Sequence, residues 1–297
     1  MLHKKNKKKD LWVTTGRMEI IMKIMKKFNF KAIQVHGGIF HVDDLFCVYM
    51  AKKILPDIQV IRGGKPLVED KEVLVADYGN TEFDHHDTET AVYRSNGVRM
   101  SASGLMFREW GSLLIPDERV RNEFELEVIY GIDAVDNGQD LIDNFGSKLG
   151  AVIKIFNPLW GFEETADEQF EKALGLLEII IERKIDSIVS KVTALETIES
   201  KDLSTDIVEF ERFVPAKEYL CRNTNVKFLI YPSLRGGYNL DCVPPTMEEF
   251  QKQRVKIPVS GKEAVEGVTF VHPAGFLAAC ETIESARKLA EYSMAQA

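Results

Sequence analysis

A chain of 297 residues is long enough for two domains with separate cores, and 45% hydrophobic and 28% charged residues is the ordinary composition of a soluble globular protein. The net charge of -8 hides an asymmetry: residues 1–31 hold ten Lys or Arg and two acids (net +8), which leaves 28 basic and 44 acidic residues (net -16) in the body. That balance argues against a non-specific duplex binder, whose affinity comes mostly from Lys and Arg on phosphates, unless bound divalent ions draw the phosphate in.

No apolar run approaches the roughly 18 residues of a membrane span. Cys47, Cys221, Cys242 and Cys280 stand far apart, which argues against a disulfide framework and a zinc knuckle and favours a reducing, cytoplasmic setting. The basic start at 1–31 lacks the apolar core and cleavage site of a signal peptide and is expected to be a disordered extension.

From Lys31 short apolar runs alternate with amphipathic stretches, the pattern of an α/β unit with a mainly parallel sheet. Strands are expected at 32–35, 58–61 and 72–76, with helices at 43–54, 101–110 and 117–134. Asn157, Pro158 and Gly161 break the chain before one long helix over 166–199. Strands then follow at 207–213, 226–231, 238–243 and 268–271, and a helix over 282–294 closes the chain. The expected domains are therefore 32–160, an α/β unit, and 161–297, a smaller α+β unit.

Four of the six histidines gather with aspartates in two short stretches, His36-Gly-Gly-Ile-Phe-His41-Val-Asp43-Asp44 and Asp84-His85-His86-Asp87. Both fall at strand ends, where open α/β sheets place their ligands. Imidazole and carboxylate together suit Mn, Fe or Zn, and carboxylates that bridge two ions are what a binuclear hydrolase needs. Asp77 ends an apolar run, and Asp133 and Asp136 repeat that theme. One Asp at a strand end is more often a cap or turn residue. Several His and Asp converging are most often metal ligands.

Asp84-His85-His86 matches the motif that names the DHH phosphoesterases. The flanking segments resemble one branch, the melanocyte-proliferating-gene exonuclease family: His36 to Asp44, Asp77, Ser101-Ala-Ser103-Gly104-Leu105, Ile132 to Gly138, and Phe270-Val-His272-Pro-Ala-Gly275-Phe276. Asp44 stands where the branch usually has Glu, Asp87 where Gln is common, and the step from Asp77 to Asp84 is short.

The resemblance implies a DHH-type fold and a metal-dependent phosphodiesterase, a 3'-5' exonuclease on RNA or short single strands using two Mn2+ ions, with Mg2+ as a substitute. It implies His36, His41, Asp43, Asp77, His85 and Asp136 as metal ligands, with Asp136 preferred to Asp133. Asp84 orients the pair, His86 faces the phosphate and His272 acts from the second half. Arg99, Ser101, Ser103 and Gly275 become substrate contacts, while Arg62 and Lys65 are further basic residues near the motifs. Phe276, Trp160 and Tyr238 are the candidate stacking aromatics. Two other readings keep the same residues: a small-substrate phosphoesterase acting on pyrophosphate or a dinucleotide, and a catalytically silent metal or nucleic-acid binder. No membrane partner is expected, and a homo-oligomer is compatible with the sequence.

Overall fold

The structure, a computed structural model, describes residues 29–87, 89–139, 142–249 and 252–297. The basic extension therefore lies outside the described residues, apart from its last three. By compactness the chain divides inside its long helix into a first unit ending at Val189 and a second of Ser190–Ala297.

The first unit is built on a three-stranded, all-parallel sheet in the order β2-β1-β3, with β1 (Ala32–Val35), β2 (Gln59–Arg62) and β3 (Val73–Val75). Every residue of the central strand is buried, as a covered parallel strand requires. Gln34 is the polar exception, and its amide is satisfied: it donates to the carbonyls of Gly63 (2.8 Å) and Lys65 (3.2 Å) and accepts from the Leu67 amide (2.9 Å).

Helix α1 (Val42–Ile54) follows β1, and its residues from Val42 through Ala51 are all buried. Its pattern is therefore apolar nearly all round, with Lys52 and Lys53 in the last turn. Phe46 sits at no exposure, with ring centroids 6.4 Å from Phe107 of α2 (Ala102–Leu114) and 6.1 Å from Phe124.

The single helix expected over 117–134 is α3 (Glu118–Phe124), a π turn (Glu125–Ile129) and α4 (Tyr130–Asp136). Such π insertions are rare and often stand near functional sites. Helix α5 (Phe145–Lys154), absent from the expected elements, is started by a reciprocal cap in which the Ser147 amide donates to Asn144 Oδ1 and the Asn144 amide to Ser147 Oγ, both at 3.1 Å. Helix α6 (Ala166–Glu199) is the long helix expected there.

The second unit is α+β. Its five-stranded sheet runs β4-β5-β6-β8-β7, with β4 (Ile207–Glu209) parallel to β5 (Phe228–Pro232) and the other pairings antiparallel. Strands β6 (Tyr238–Cys242) and β7 (Val268–Val271) follow expectation. Strand β8 (Leu277–Cys280) and the short helices α7 (Lys217–Asn223) and α8 (Gly261–Ala264) were not expected. Leu-Ala-Ala-Cys has no β-branched residue to mark a strand; its pairing with β6 and β7 supplies what propensity does not. Helix α9 (Ile283–Ala295) closes the unit and buries Ala286, Leu289 and Ala290 in its core. Among the described residues no helix is long and apolar enough to cross a membrane.

Truncating Phe46 to Ala removes an aromatic that nothing else can replace. Urea unfolding of the variant is expected to show a loss of about 3–5 kcal/mol.

Candidate metal centre

The site assembles at the ends of β1 and β3 and the starts of α1 and α2. His41 is the N-cap of α1, and its amide donates to Asp44 Oδ2 at 2.9 Å. The other oxygen of Asp44 lies 2.9 Å from His36 Nε2. Asp43, one residue earlier, points across to α2: its carboxylate accepts from the amides of Ser103 (2.7 Å) and Ala102 (3.2 Å) and from Ser101 Oγ (2.5 Å). One carboxylate thus closes its own helix while its neighbour caps another, where the helix dipole favours negative charge.

Asp77 leaves β3 with φ of 66°, a left-handed conformation that non-glycine residues seldom adopt. Its amide donates to Phe83 O at 2.9 Å, which ties that turn down. The result is a carboxylate with one oxygen 3.2 Å from His36 Nε2 and the other 3.0 Å from His85 Nε2. His85 Nε2 is also 3.1 Å from Asp136 Oδ2, and His41 Nδ1 is 3.8 Å from Asp136 Oδ1. His85 and Asp77 form the floor, with side chains 8% and 4% exposed, while His41 and His86 stand at the rim at 55% and 63%.

So many carboxylates in one place disturb each other's protons. Burial, then the charges of Asp136 and Asp77, push Asp43 well above the usual carboxylate range. Burial also lifts Asp44 to about 6, against the opposing hydrogen bond from His36. Asp77 goes the other way: burial would raise it, but the hydrogen bonds from His36 and His85 hold it below its ordinary value. The bond to Asp44, with that to Asp77, raises His36 to about 11; His85 also reaches about 11, because Asp136 and Asp77 outweigh its burial.

Asp44 Oδ1 and Asp77 Oδ1 are buried, and their neighbours are imidazole nitrogens, His36 Nε2 at 2.9 Å and His85 Nε2 at 3.0 Å. Carboxylate oxygens and imidazole nitrogens turned on one space in this way are the disposition of metal ligands. Three groups bring their donor atoms within 4.8 Å of one another: His36, His41 and Asp44; Asp77, His85 and His86; and Asp43, His85 and Asp136. This nitrogen and oxygen donor set fits divalent ions such as Mn, Fe or Zn. The pocket, of about 320 Å³, is lined by His36, His41, Asp77, His85, His86, Arg99, Asp136 and Asn137.

Residues 32–294 match the MYG1 exonuclease family, described as an uncharacterised protein family (UPF0160). The chain belongs to that family. It is 27% identical to the MYG1 protein of Saccharomyces cerevisiae, over 89% of this chain and 96% of that one. Against the human MYG1 exonuclease it is 25% identical, over 89% of this chain and 86% of that one. A pGpG-specific phosphodiesterase from Vibrio cholerae is 13% identical over 89% of this chain and 98% of that chain, with a TM-score of 0.31, too low to bear on the fold.

In this member of the MYG1 exonuclease family, the six residues expected as ligands all face one pocket or adjoin it. Asp44, read from the sequence only as a departure, stands with His36 and His41; its capping-box position three residues after His41 is the signal that places it there. Asp133 lies elsewhere, fully buried, where its carboxylate accepts from Arg94 Nε (2.6 Å) and Ser101 N (3.0 Å), with Ser101 Oγ, whose one proton is given to Asp43, 2.8 Å away. Arg94, which no motif marked, also pairs with Glu125 on the π turn and lies over the Tyr130 ring. Gly104 makes room for this network, since a Cβ there would stand 2.3 Å from Asp133 Oδ1.

Asp84 accepts from His86 N (3.0 Å), His86 Nδ1 (2.8 Å) and Asn80 N (2.7 Å), which fixes the ring of His86. Arg99 lines the pocket, its guanidinium anchored on the carbonyls of His85 and Asp87, with Nε buried and unpartnered.

Other expected contacts are placed differently. Ser101 and Ser103 have no exposure and hold Asp43, so they support a ligand instead of touching substrate. Gly275, with φ of 74°, has its amide on His272 O and its carbonyl on the Ile257 amide, and a Cβ would stand 2.7 Å from Ile257 O; its role is the turn. His272, in that turn of the second unit, accepts from Ala274 N at 3.1 Å and packs 4.2 Å from Phe276. Arg62 is taken up by Asp167 (2.6 Å), by Gly38 O (2.9 Å) and by the Phe170 ring.

Two outcomes follow from this geometry. Raised imidazoles hold protons across the neutral range, so a divalent ion must displace them. Mn2+ titration calorimetry in two buffers at pH 7 is expected to show release of about two protons, with affinity rising with pH; uptake with no proton release would contradict it. Ser101→Ala leaves Asp43 short of a donor, and Mn2+ affinity is expected to fall by about 10–100-fold, with a stability loss in urea of about 1–3 kcal/mol, that of one lost buried hydrogen bond.

Proposed function

We propose that this chain is a divalent-metal-dependent phosphodiesterase, a 3'-5' exonuclease on RNA or short single-stranded nucleic acid. It is a hydrolase of phosphoester bonds, in keeping with relatives named exonucleases. The observation that carries this reading is Asp77: each of its two oxygens faces a different histidine, which is how a carboxylate is set to bridge two ions.

His36, His41 and Asp44 would hold one ion, and His85, Asp136 and Asp43 the other, with Asp77 shared. Two bound ions supply Lewis-acid activation of water and neutralise charge on the leaving oxygen; Mn2+ is the ion proposed, with Mg2+ as substitute.

The chain's own residues do the rest. Asp84 holds His86 by Nδ1 and leaves Nε2 to meet a phosphate oxygen at the rim. Arg99, already anchored on two carbonyls, presents an ordered guanidinium to the same anion at little entropic cost. His272, in the second unit, keeps Nε2 free to donate, because Nδ1 accepts from Ala274, and is proposed as a phosphate-binding residue of that unit. The four cysteines are free and buried, in keeping with a cytoplasmic setting.

The test is Mn2+-dependent hydrolysis of a 5'-labelled single-stranded RNA, beside pyrophosphate and a dinucleotide, with Asp84→Ala as control. A stepwise ladder, reduced at least about 100-fold in the variant as for loss of a general acid–base or orienting group, is the expected result. Cleavage of the small substrates alone would move the protein to nucleotide turnover, and no cleavage with normal metal uptake would make it a binder.

A further inference from the structure

Most exposed apolar side chains of a soluble protein are scattered, and such singletons need no explanation. Between the end of α5 and the start of α6 they are clustered instead. Ile155 is 71% exposed, Leu159 55%, Trp160 99% and Phe162 68%, all within eight residues.

The segment is rigidly built. The Phe162 amide donates to Leu159 O at 3.2 Å, and Gly161 has φ of 87°, the positive value that the third residue of a type II turn requires. Trp160 is therefore at the tip of a closed turn. The Leu159 amide is held by Glu164 Oε1 at 2.7 Å, so the turn is also pinned from its far side.

Two contacts tie this turn to the metal pocket. Asn157 clamps the backbone of Phe40, accepting from its amide and donating to its carbonyl, both at 2.9 Å. Phe40 belongs to the loop whose ends, His36 and His41, line the pocket, and whose exposed apolar side chain is Ile39, at 67%. On α5, Gly150 lies against Val135 and Val42, the residues just before Asp136 and Asp43. The apolar turn is thus anchored to the two segments that carry the candidate ligands.

We propose that Trp160 and Phe162, with Ile39, form a stacking platform for the unpaired bases of a single-stranded nucleic acid whose phosphodiester sits in the metal pocket. This rests on the phosphodiesterase reading above and adds the surface that would hold the bases beyond the scissile bond. Stacking is the recognition suited to this surface. The body carries a net charge of -16, so its overall field does not draw in a long phosphate track, whereas an aromatic face takes any base and needs no charge. A pre-set turn loses little entropy on binding. A duplex, whose bases are already stacked and paired, has none to offer.

The experiment uses the full chain as wild type, as Trp160→Ala/Phe162→Ala and as Asp84→Ala. Steady-state hydrolysis is followed on a single-stranded 12-mer and on a 12-mer of tetrahydrofuran abasic units, which has the phosphodiesters but no base or aromatic ring. Binding of the uncleaved 12-mer is followed by anisotropy without metal.

The expected result is that the double variant raises KM and Kd for the 12-mer by roughly tenfold, the effect of one or two lost stacking contacts. Its hydrolysis of the abasic 12-mer stays at the wild-type rate. Equal loss on both substrates, or no change on the 12-mer, overturns the platform while leaving the phosphodiesterase reading intact. Loss of all hydrolysis in the wild type overturns that reading first, and an unchanged Kd in the double variant then removes the platform as well. A wild-type dimer that the double variant turns into a monomer, with Kd unchanged, would assign the patch to a second copy of the chain.

Discussion

Four carboxylates, Asp43, Asp44, Asp77 and Asp136, are crowded around a single pocket, and like charges this close in a poorly solvated site repel. The first unit is arranged to make that tolerable. Asp43 is laid on the first amides of α2 and Asp44 on the amide of His41, the N-cap of α1, so two helix starts absorb part of the charge. His36 and His85 absorb more, each touching two carboxylates. What is left over is a demand that divalent ions would meet.

That demand reaches into the backbone and the core. Asp77 has its carboxylate between two histidines only because its backbone is left-handed, a strain of the kind that collects at functional sites. Behind Asp43, the hydrogen bonds continue through Ser101 to Asp133 and Arg94, and from there to the π turn. Such outer-shell partners orient a ligand without touching an ion. They also separate two aspartates only three residues apart: Asp136 faces the pocket, and Asp133, one helical turn back, is paired inside the protein.

The elements with strong periodicity or length were legible beforehand. Ala32–Val35, Ala166–Glu199 and Val268–Val271 stand where apolar pattern put them. Weak local signals were missed: α5 holds Gly146 and Gly150, and β8 lacks β-branched residues, so both depend on neighbours for their stability. The π turn was hidden for a different reason, since a one-residue change of hydrogen-bond register leaves the helical pattern of Glu118–Asp136 almost unaltered.

By itself the sequence determined the chemistry on offer: which histidines and aspartates are grouped, that His36 and Asp77 follow strands, and which family the chain belongs to, whereas Asp84, His85 and His86 stand in a loop and Asp136 ends a helix. Those properties depend on residue type and short spacing, which are local. The tertiary structure decided how they are shared out. It turned Asp43 towards α2, gave Asp44 to His36, buried Ser101 and Ser103 behind a carboxylate, and set Gly275 to making a turn. It also joined Trp160 to the loop of His36 through Asn157, 117 residues away from Phe40. Each of these depends on partners distant in the chain, and no local pattern records which partner a folded backbone will bring within 3 Å.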